Sequence, residues 1–471
     1  MKNRLTVLFH RFGPYHLARL EAAARVCELT ALELGAESAE YAWEKVSGAR
    51  GFQRVTLFPH GDSREAAADE VRSRVRAALE EARPEAVAIP GWSDRAAFVA
   101  LAWCAEQGVP AIVMSESTAH DEPRVGWKEF VKRRLVRLFS TALVGGRLHV
   151  DYLEQLGMSR DRIFTGYDVV ENKHFAGAGS GERGAGSGAA KVEIGKVERG
   201  NEPEGKAESG KRKAEISEAQ ISACGISTPH PGPLPGRGGE GGAFFLASAR
   251  FIEKKNLPRL LQAYAQYRDA VKAEIGKAES GNERTAASTS PRPSPQGGEG
   301  VAPWGLVLLG DGPLRPALCS QLQALGLQDS VLMPGFIQYD ELPAWYARAS
   351  AFVHASTTEQ WGLVVNEAVA AGLPVMVSNR CGCAPELVRE GVNGFTFDPN
   401  NVEEFAALLL KISAFNFPLS AFGAESRSIA TQHEPARFGE GLKQAAELAM
   451  KLPRPRANLF DRLLLNRLAS G

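Results

Sequence analysis

The strongest constraint in this sequence is a pattern that runs through it twice: short uninterrupted apolar runs, each followed by a stretch with helical spacing. The first half reads "LTVLFH", "GPYHLARLEAAARV", "LTALEL", "AVAIPG", "DRAAFVALAWCAEQG" and "PAIVMSES". The second repeats the scheme with "AFFLASA", "LPRLLQAYAQYR", "GLVLLG", "LRPALCSQLQALG", "SVLMPG", "LPAWYARAS", "AFVHAS", "GLVVNEAVAAG" and "PVMVSN". A strand that is apolar on both faces leaves no side for water, so it belongs inside a parallel sheet covered by helices. The expected fold is α/β, with two doubly wound domains facing a central crevice.

Two segments interrupt the pattern. "KVEIGKVERGNE" at 191–202 and "KAEIGKAESGNE" at 272–283 are near-copies, each followed by a Pro/Gly tract. Their Lys, Glu, Gly, Ser and Pro cannot bury enough apolar surface to offset ordering entropy, which predicts disordered insertions over 176–242 and 271–303. Both end just before a predicted strand, so they are expected on the sheet edge opposite the crevice. The division that follows is a first domain over 1–165, a junction over 166–175, a second domain over 243–425 and a helical segment over 426–471 that crosses back to the first.

Composition narrows the function. Lys+Arg 55 balance Asp+Glu 55, so there is no excess cation for a nucleic-acid backbone, and a small ligand recognised locally is expected. The six cysteines lack zinc-site spacing and read as small buried residues. No uncharged apolar run approaches the roughly 20 residues of a membrane span, and the N-terminal apolar run is too short for a signal peptide. The expected location is the cytoplasm, or the cytoplasmic face of a membrane.

Chemistry concentrates where strands end. "SARFIEKKNLPRLL" sets Arg250 at a strand end and Lys255 before a helix with Asn256 as its N-cap, an arrangement suited to a diphosphate. "LVLLGDGPLRPAL" ends a strand in Gly310-Asp311-Gly312-Pro313, a tight turn lining the crevice; Arg315 stands where a dinucleotide fingerprint needs its third glycine. Phe336, after "SVLMPG", is either core or the border of a base. In "TTEQWGLVVNEAVAAG", Glu359 lies in a loop and Glu367 inside a helix that Gly362 begins. A ligand across that helix N-terminus could meet both carboxylates, its phosphates facing the amides of Gly362, Leu363 and Val364.

Glu359, seven intervening residues and Glu367, together with "SARFIEKKN", "LLGDGP", "AAGLPVMVSN", "APELV" and "VNGFTFDP", resemble the retaining GT-B glycosyltransferases of family GT4. The resemblance is specific over about 243–412 and one of layout over 1–175. It implies two Rossmann-like domains and transfer of a sugar from a nucleotide-diphosphate sugar to an acceptor. Arg250 and Lys255 would hold the donor diphosphate, Glu367 the ribose and Glu359 the transferred sugar. Gly362, Leu363 and Val364 would give backbone contacts, Phe336 would border the base, and Gly310 would line the donor side. Front-face attack assisted by the leaving phosphate needs no protein nucleophile, and with no Asp-x-Asp triplet in the chain no metal is expected.

The first half offers acceptor-side groups. Gly13 and His16 lie in "RFGPYHLAR" after the first strand, where the family has a glycine-rich loop, and Glu116, His120 and Asp121 lie in "VMSESTAHDEPR". Residues 127–139 place Trp127, Val131, Leu135 and Leu138 on one helical stripe with basic residues elsewhere, either core packing or a peripheral membrane contact. Two other activities share the layout: a nicotinamide-dependent oxidoreductase, and a nucleotide-sugar binder without catalysis.

Overall fold

The structure, a computed structural model, describes residues 2–36, 50–176, 242–283 and 302–470. The first sheet holds β1 (Arg4–Phe9), β2 (Glu28–Glu33), β3 (Gln53–Thr56), β4 (Ala86–Pro90), β5 (Ala111–Ser115), β6 (Thr141–Val144) and β7 (Ile163–Thr165) in the order β3-β2-β1-β4-β5-β6-β7. The second holds β8 (Phe244–Ser248), β9 (Gly305–Leu309), β10 (Val331–Gly335), β11 (Ala351–His354), β12 (Val375–Ser378) and β13 (Gly394–Phe397) in the order β10-β9-β8-β11-β12-β13. Neighbouring strands are parallel throughout both sheets.

The central strands carry the core, with Val7, Leu8, Ile89, Phe352 and Val353 fully buried. In each sheet the strand order reverses once, between β1 and β4 and between β8 and β11. Connections leave in opposite directions there, which opens a crevice beyond the carboxyl ends of those strands. The turn after β9 is held close to its neighbour: Gly310 has φ +123°, and a Cβ on it would lie 1.9 Å from the Ala249 carbonyl oxygen.

The helix Pro435–Lys451 lies against Pro14–Val26, where Gly439 lets the backbones approach; a Cβ there would sit 2.9 Å from the Ala22 oxygen. Its Phe438, Leu442, Ala445 and Ala449 complete the apolar layer of Leu5, Val7, Leu20 and Ala23. The helix Leu459–Ser470 adds Leu465 and Ala469 to the other face of the first sheet, beside Val99 and Trp103.

Two expectations need correction. The helix that opens at Leu257 continues to Glu283, through residues assigned above to a disordered insertion. Lys, Ala and Glu are strong helix formers, and Val271 and Ile275 still pack on the core. Asn256 does not cap that helix with its side chain. It adopts φ +58° and donates its amide to the Ala355 and Pro399 oxygens at 3.1 and 2.7 Å, since Asn tolerates the left-handed region. Most of the first insertion (177–241) and the rest of the second (284–301) lie outside the described residues.

Candidate active site

β11 delivers His354, Ser356 and Glu359 to the crevice. Thr357 N–H donates to the Lys254 carbonyl oxygen at 2.8 Å, tying this loop to the turn after β8. Glu359 is further fixed by its backbone, donating to the Arg380 oxygen at 3.3 Å and accepting from Gly382 N–H at 3.0 Å. Its carboxylate meets the Lys255 ammonium, the Ser356 hydroxyl at 3.2 Å and His354 Nε2 at 3.5 Å, with Lys254 at 4.0 Å. Burial alone would raise the Glu359 pKa, but the His354 hydrogen bond and the lysine charges outweigh it and hold the carboxyl well below its usual range. Burial lowers the His354 pKa, so this ring is neutral.

Gly362 caps the helix Leu363–Ala370 in the left-handed region, at φ +107°. A Cβ there would come within 3.4 Å of the Cys383 sulfur and of His354 Nε2. Glycine therefore lets the helix N-terminus, with its unpaired first amides, sit directly on the Lys255–Glu359 pair.

Glu367, one and a half turns along that helix, is fully buried. Tyr15 of the first domain donates to one oxygen, and Tyr346 donates to the other at 2.5 Å. Neither glutamate is open in this state, because a buried carboxylate without partners would cost several kcal/mol. Burial pushes the Glu367 pKa up to about 7 against the opposing effect of the two hydroxyls.

The folded protein thus retains a proton that an unfolded carboxyl, near 4.5, gives up earlier as pH rises. This contribution to stability is full below pH 4.5 and is lost as pH climbs through about 7. Chemical unfolding of wild type and Glu367→Gln is expected to show the difference in stability falling by about 3 kcal/mol between those limits, at ~1.36 kcal/mol per pKa unit. A constant difference would mean that Glu367 is ionised throughout.

On the facing wall, β1 runs into a loop anchored by Glu33, whose carboxylate accepts from Phe12 N–H at 2.9 Å and from Arg54 and Thr56 at 2.8 Å each. Gly13 then opens the helix Pro14–Val26, and its N–H donates to His16 Nδ1 at 3.1 Å. Burial, then the Arg19 charge, lowers the His16 pKa to about 3, so the ring is neutral and its proton sits on Nε2. Gly13, Tyr15, His16, Arg19, Glu116 and Leu363 line a cavity of about 270 Å³.

Arg19 is buried, 3.5 Å from Asp168, and donates to the Val169 oxygen at 3.2 Å. Burial raises the pKa of both Glu116 and Asp168, and at Asp168 the Glu116 charge adds to the same effect. Glu116 also lines a second cavity of about 600 Å³ between the domains, with Asp121 and Lys132 on one wall and Lys254, Thr358 and Gln360 on the other.

The structure therefore gathers Lys255, Glu359, Gly362, Leu363 and Val364 at one helix N-terminus, and Gly13, His16 and Glu116 around a cavity that Leu363 closes. Arg250 is exposed, with no side-chain partner among the described residues, and Phe336 is 39% exposed, outside the core. Gly310 shapes the turn beside β8. His120 departs from expectation: Arg124 gathers Asp121 at 2.5 Å and the Ala119 oxygen at 2.9 Å, and the loop so folded leaves His120 exposed, outside both cavities. Its backbone oxygen accepts from Thr358 at 3.5 Å.

Seven participants were not read from sequence: Tyr15, Arg19, Asp168, Lys254, Tyr346, His354 and Ser356. His354 had a signal, as a polar residue at the carboxyl end of an apolar strand.

Residues 300–419 match the family model of glycosyl transferases group 1. That stretch lies within the second domain. An exopolysaccharide phosphotransferase of Streptomyces coelicolor is 32% identical over 177 residues, covering 36% of this chain and 18% of that protein. A GDP-mannose-dependent alpha-(1-6)-phosphatidylinositol monomannoside mannosyltransferase of Mycobacterium tuberculosis is 33% identical over 133 residues, covering 27% of this chain and 34% of that protein. The chain spans about a fifth and about a third of the length of these two relatives. Over nearly the whole chain, the crystal structure of Anabaena HepE in complex with UDP and glucose matches with a TM-score of 0.58 at 17% identity, covering 94% of this chain and 98% of that one. Two parallel sheets facing a crevice in this way form the GT-B fold.

Proposed function

We propose that the protein is a glycosyltransferase that moves a sugar from a nucleoside-diphosphate sugar to an acceptor, with retention at the anomeric carbon. The observation that carries this reading is the meeting of Lys255, Glu359 and the N-terminus of the helix Leu363–Ala370 across a cavity from Gly13, His16 and Glu116. Cleavage of a sugar–diphosphate bond puts charge on the departing phosphate. Lys254, Lys255 and the amides of Leu363 and Val364 are fixed where they stabilise it as it forms, and Arg250 at the crevice edge adds a third cation. The chain's own cations carry that charge in this reading, and no metal ion is called on.

Glu359, held ionised, accepts from hydroxyls of the transferred sugar. The Glu367 oxygen now held by Tyr15 receives the ribose, because Tyr15 belongs to the other domain and withdraws when the domains part. Phe336 borders the base. The acceptor lies against Glu116 and His16; its oxygen bonds the anomeric carbon on the face the phosphate leaves, and its proton passes to the departing phosphate oxygen. The UDP and glucose held by HepE and the GDP-mannose in the mycobacterial relative's name are donors, or parts of donors, of this class.

The test is thermal unfolding with UDP, GDP, ADP, dTDP and NAD, for wild type and Glu367→Ala. One nucleoside diphosphate at 100 times its Kd should stabilise wild type by about 2.7 kcal/mol, and this shift should vanish in the variant against its own baseline. A shift with NAD alone would support an oxidoreductase instead.

A further inference from the structure

Exposed large apolar side chains gather on one part of this protein. Trp127 and Phe130 of the helix Gly126–Val136 are 67% and 55% exposed, and Leu459, Phe460 and Leu463 of the helix Leu459–Ser470 are 74%, 51% and 60% exposed. The two helices are far apart in sequence yet adjoin. The Phe130 and Phe460 rings are 6.4 Å apart, Arg134 lies 5.2 Å over Phe460, and Arg134 Nε donates to Asp461 at 2.9 Å.

Both helices already satisfy the core with other residues, Leu135 and Val136 on one and Leu465 and Ala469 on the other. The expected stripe of Trp127, Val131, Leu135 and Leu138 splits accordingly: the last two are buried, Val131 is half-buried, and Trp127 points out. Folding does not require this second apolar face.

We propose that the two helices form one docking surface for an anionic lipid membrane. The charges favour that occupant. Glu129 and Asp461 are each engaged by an arginine, at 3.2 and 2.6 Å. Arg133, Arg137, Arg462 and Arg467 are exposed and hold no salt bridge among the described residues. Helical spacing sets Arg133 three residues from Phe130, Arg462 three from Leu459 and Arg467 four from Leu463, so free cations flank the apolar patch. A second copy would bring these like charges together. An anionic bilayer receives the cations at its headgroups and the aromatic and aliphatic side chains just below. Among the described residues no helix is long and apolar enough to cross a membrane, so the contact is peripheral.

Lys132, on the same helix as Trp127 and Phe130, lines the larger inter-domain cavity. On the transferase reading, this helix therefore links the proposed surface to the wall of the inter-domain cavity.

Flotation with phosphatidylcholine vesicles, with and without phosphatidylglycerol, tests the surface. Wild type should bind the anionic vesicles at least about tenfold better than the neutral ones, with binding weakened by salt. Phe130→Ser/Phe460→Ser and Arg133→Glu/Arg462→Glu should each lose about tenfold, while circular dichroism and the nucleotide-induced thermal shift stay unchanged. Failure to bind anionic vesicles, or equal binding by both variants, overturns the proposal. So does concentration-dependent self-association abolished by the same substitutions, which would assign the patch to a second copy. A chain that binds vesicles but no nucleotide would keep this surface and discard the donor reading.

Discussion

Replacing Lys255 by methionine is expected to lower donor turnover by roughly 100- to 1,000-fold, the usual effect of deleting one preorganised electrostatic contact to a charge that develops in the transition state. The same substitution strips Glu359 of its ammonium partner in a site where burial already opposes ionisation. It should therefore cost about 2–3 kcal/mol of stability as well, somewhat less than for a fully enclosed pair. Lys255→Met/Glu359→Gln separates the two effects. Removing both charges should return stability to within about 1 kcal/mol of wild type, since the penalty belongs to the unpaired carboxylate. Turnover should stay low. Urea unfolding reads the first quantity and release of nucleoside diphosphate the second; recovery of turnover in the double variant would reduce the pair to a structural role.

Gly310→Ala should be among the most destabilising small substitutions in the second domain, at about 3–5 kcal/mol. The added methyl would lie 1.9 Å from the Ala249 oxygen and 2.9 Å from its carbonyl carbon, on a backbone at φ +123°. Neither side can yield cheaply. Ala249 N–H donates to the Leu309 oxygen at 2.9 Å and Gly310 N–H to the Gly335 oxygen at 2.8 Å, so relief breaks the ends of three strands at once. Gly326→Ala is the control. Its φ is +63° with nothing within 4 Å of the new methyl, so only the left-handed conformation is charged against it, about 1 kcal/mol. Equal losses in urea unfolding would show that conformation rather than collision sets both costs.

The strands that could be read from sequence are those whose apolar run reaches five or six residues, or that sit in the middle of a sheet, such as β1, β4, β8 and β11. β3, β6, β7 and β13 escape because three or four residues carry little pattern unless, as in "PVMVSN" of the equally short β12, the run is strongly apolar and follows a Gly-Leu-Pro break. β13 lies inside "VNGFTFDP", a motif that carries a family resemblance but no periodicity of its own. At the site, Lys255 and Glu359 were legible singly because each follows a strand end. Their contact was not, for 104 positions separate them. Tyr15 and Glu367 are 352 positions apart and meet only because two domains approach. No local spacing records such an encounter, and the hydroxyls that hold Glu367 could not be inferred from the need for partners alone. His120 fails for a related reason: its loop is folded by Arg124, a residue whose role depends on a turn rather than on a periodic element.

The Pro435–Lys451 helix also imposes an order on the making of this protein. Leu20, Ala23 and Leu5 are covered by Phe438, Leu442 and Ala445, which leave the ribosome only after the entire second domain. At typical translation rates the first sheet's apolar layer waits on the order of tens of seconds for its cover. During that time the second domain can already be complete while the first remains a substrate for chaperones. A message cut short after residue 430 would yield an intact second domain attached to an uncovered sheet, so a cell that discards such chains needs to sense only the first domain.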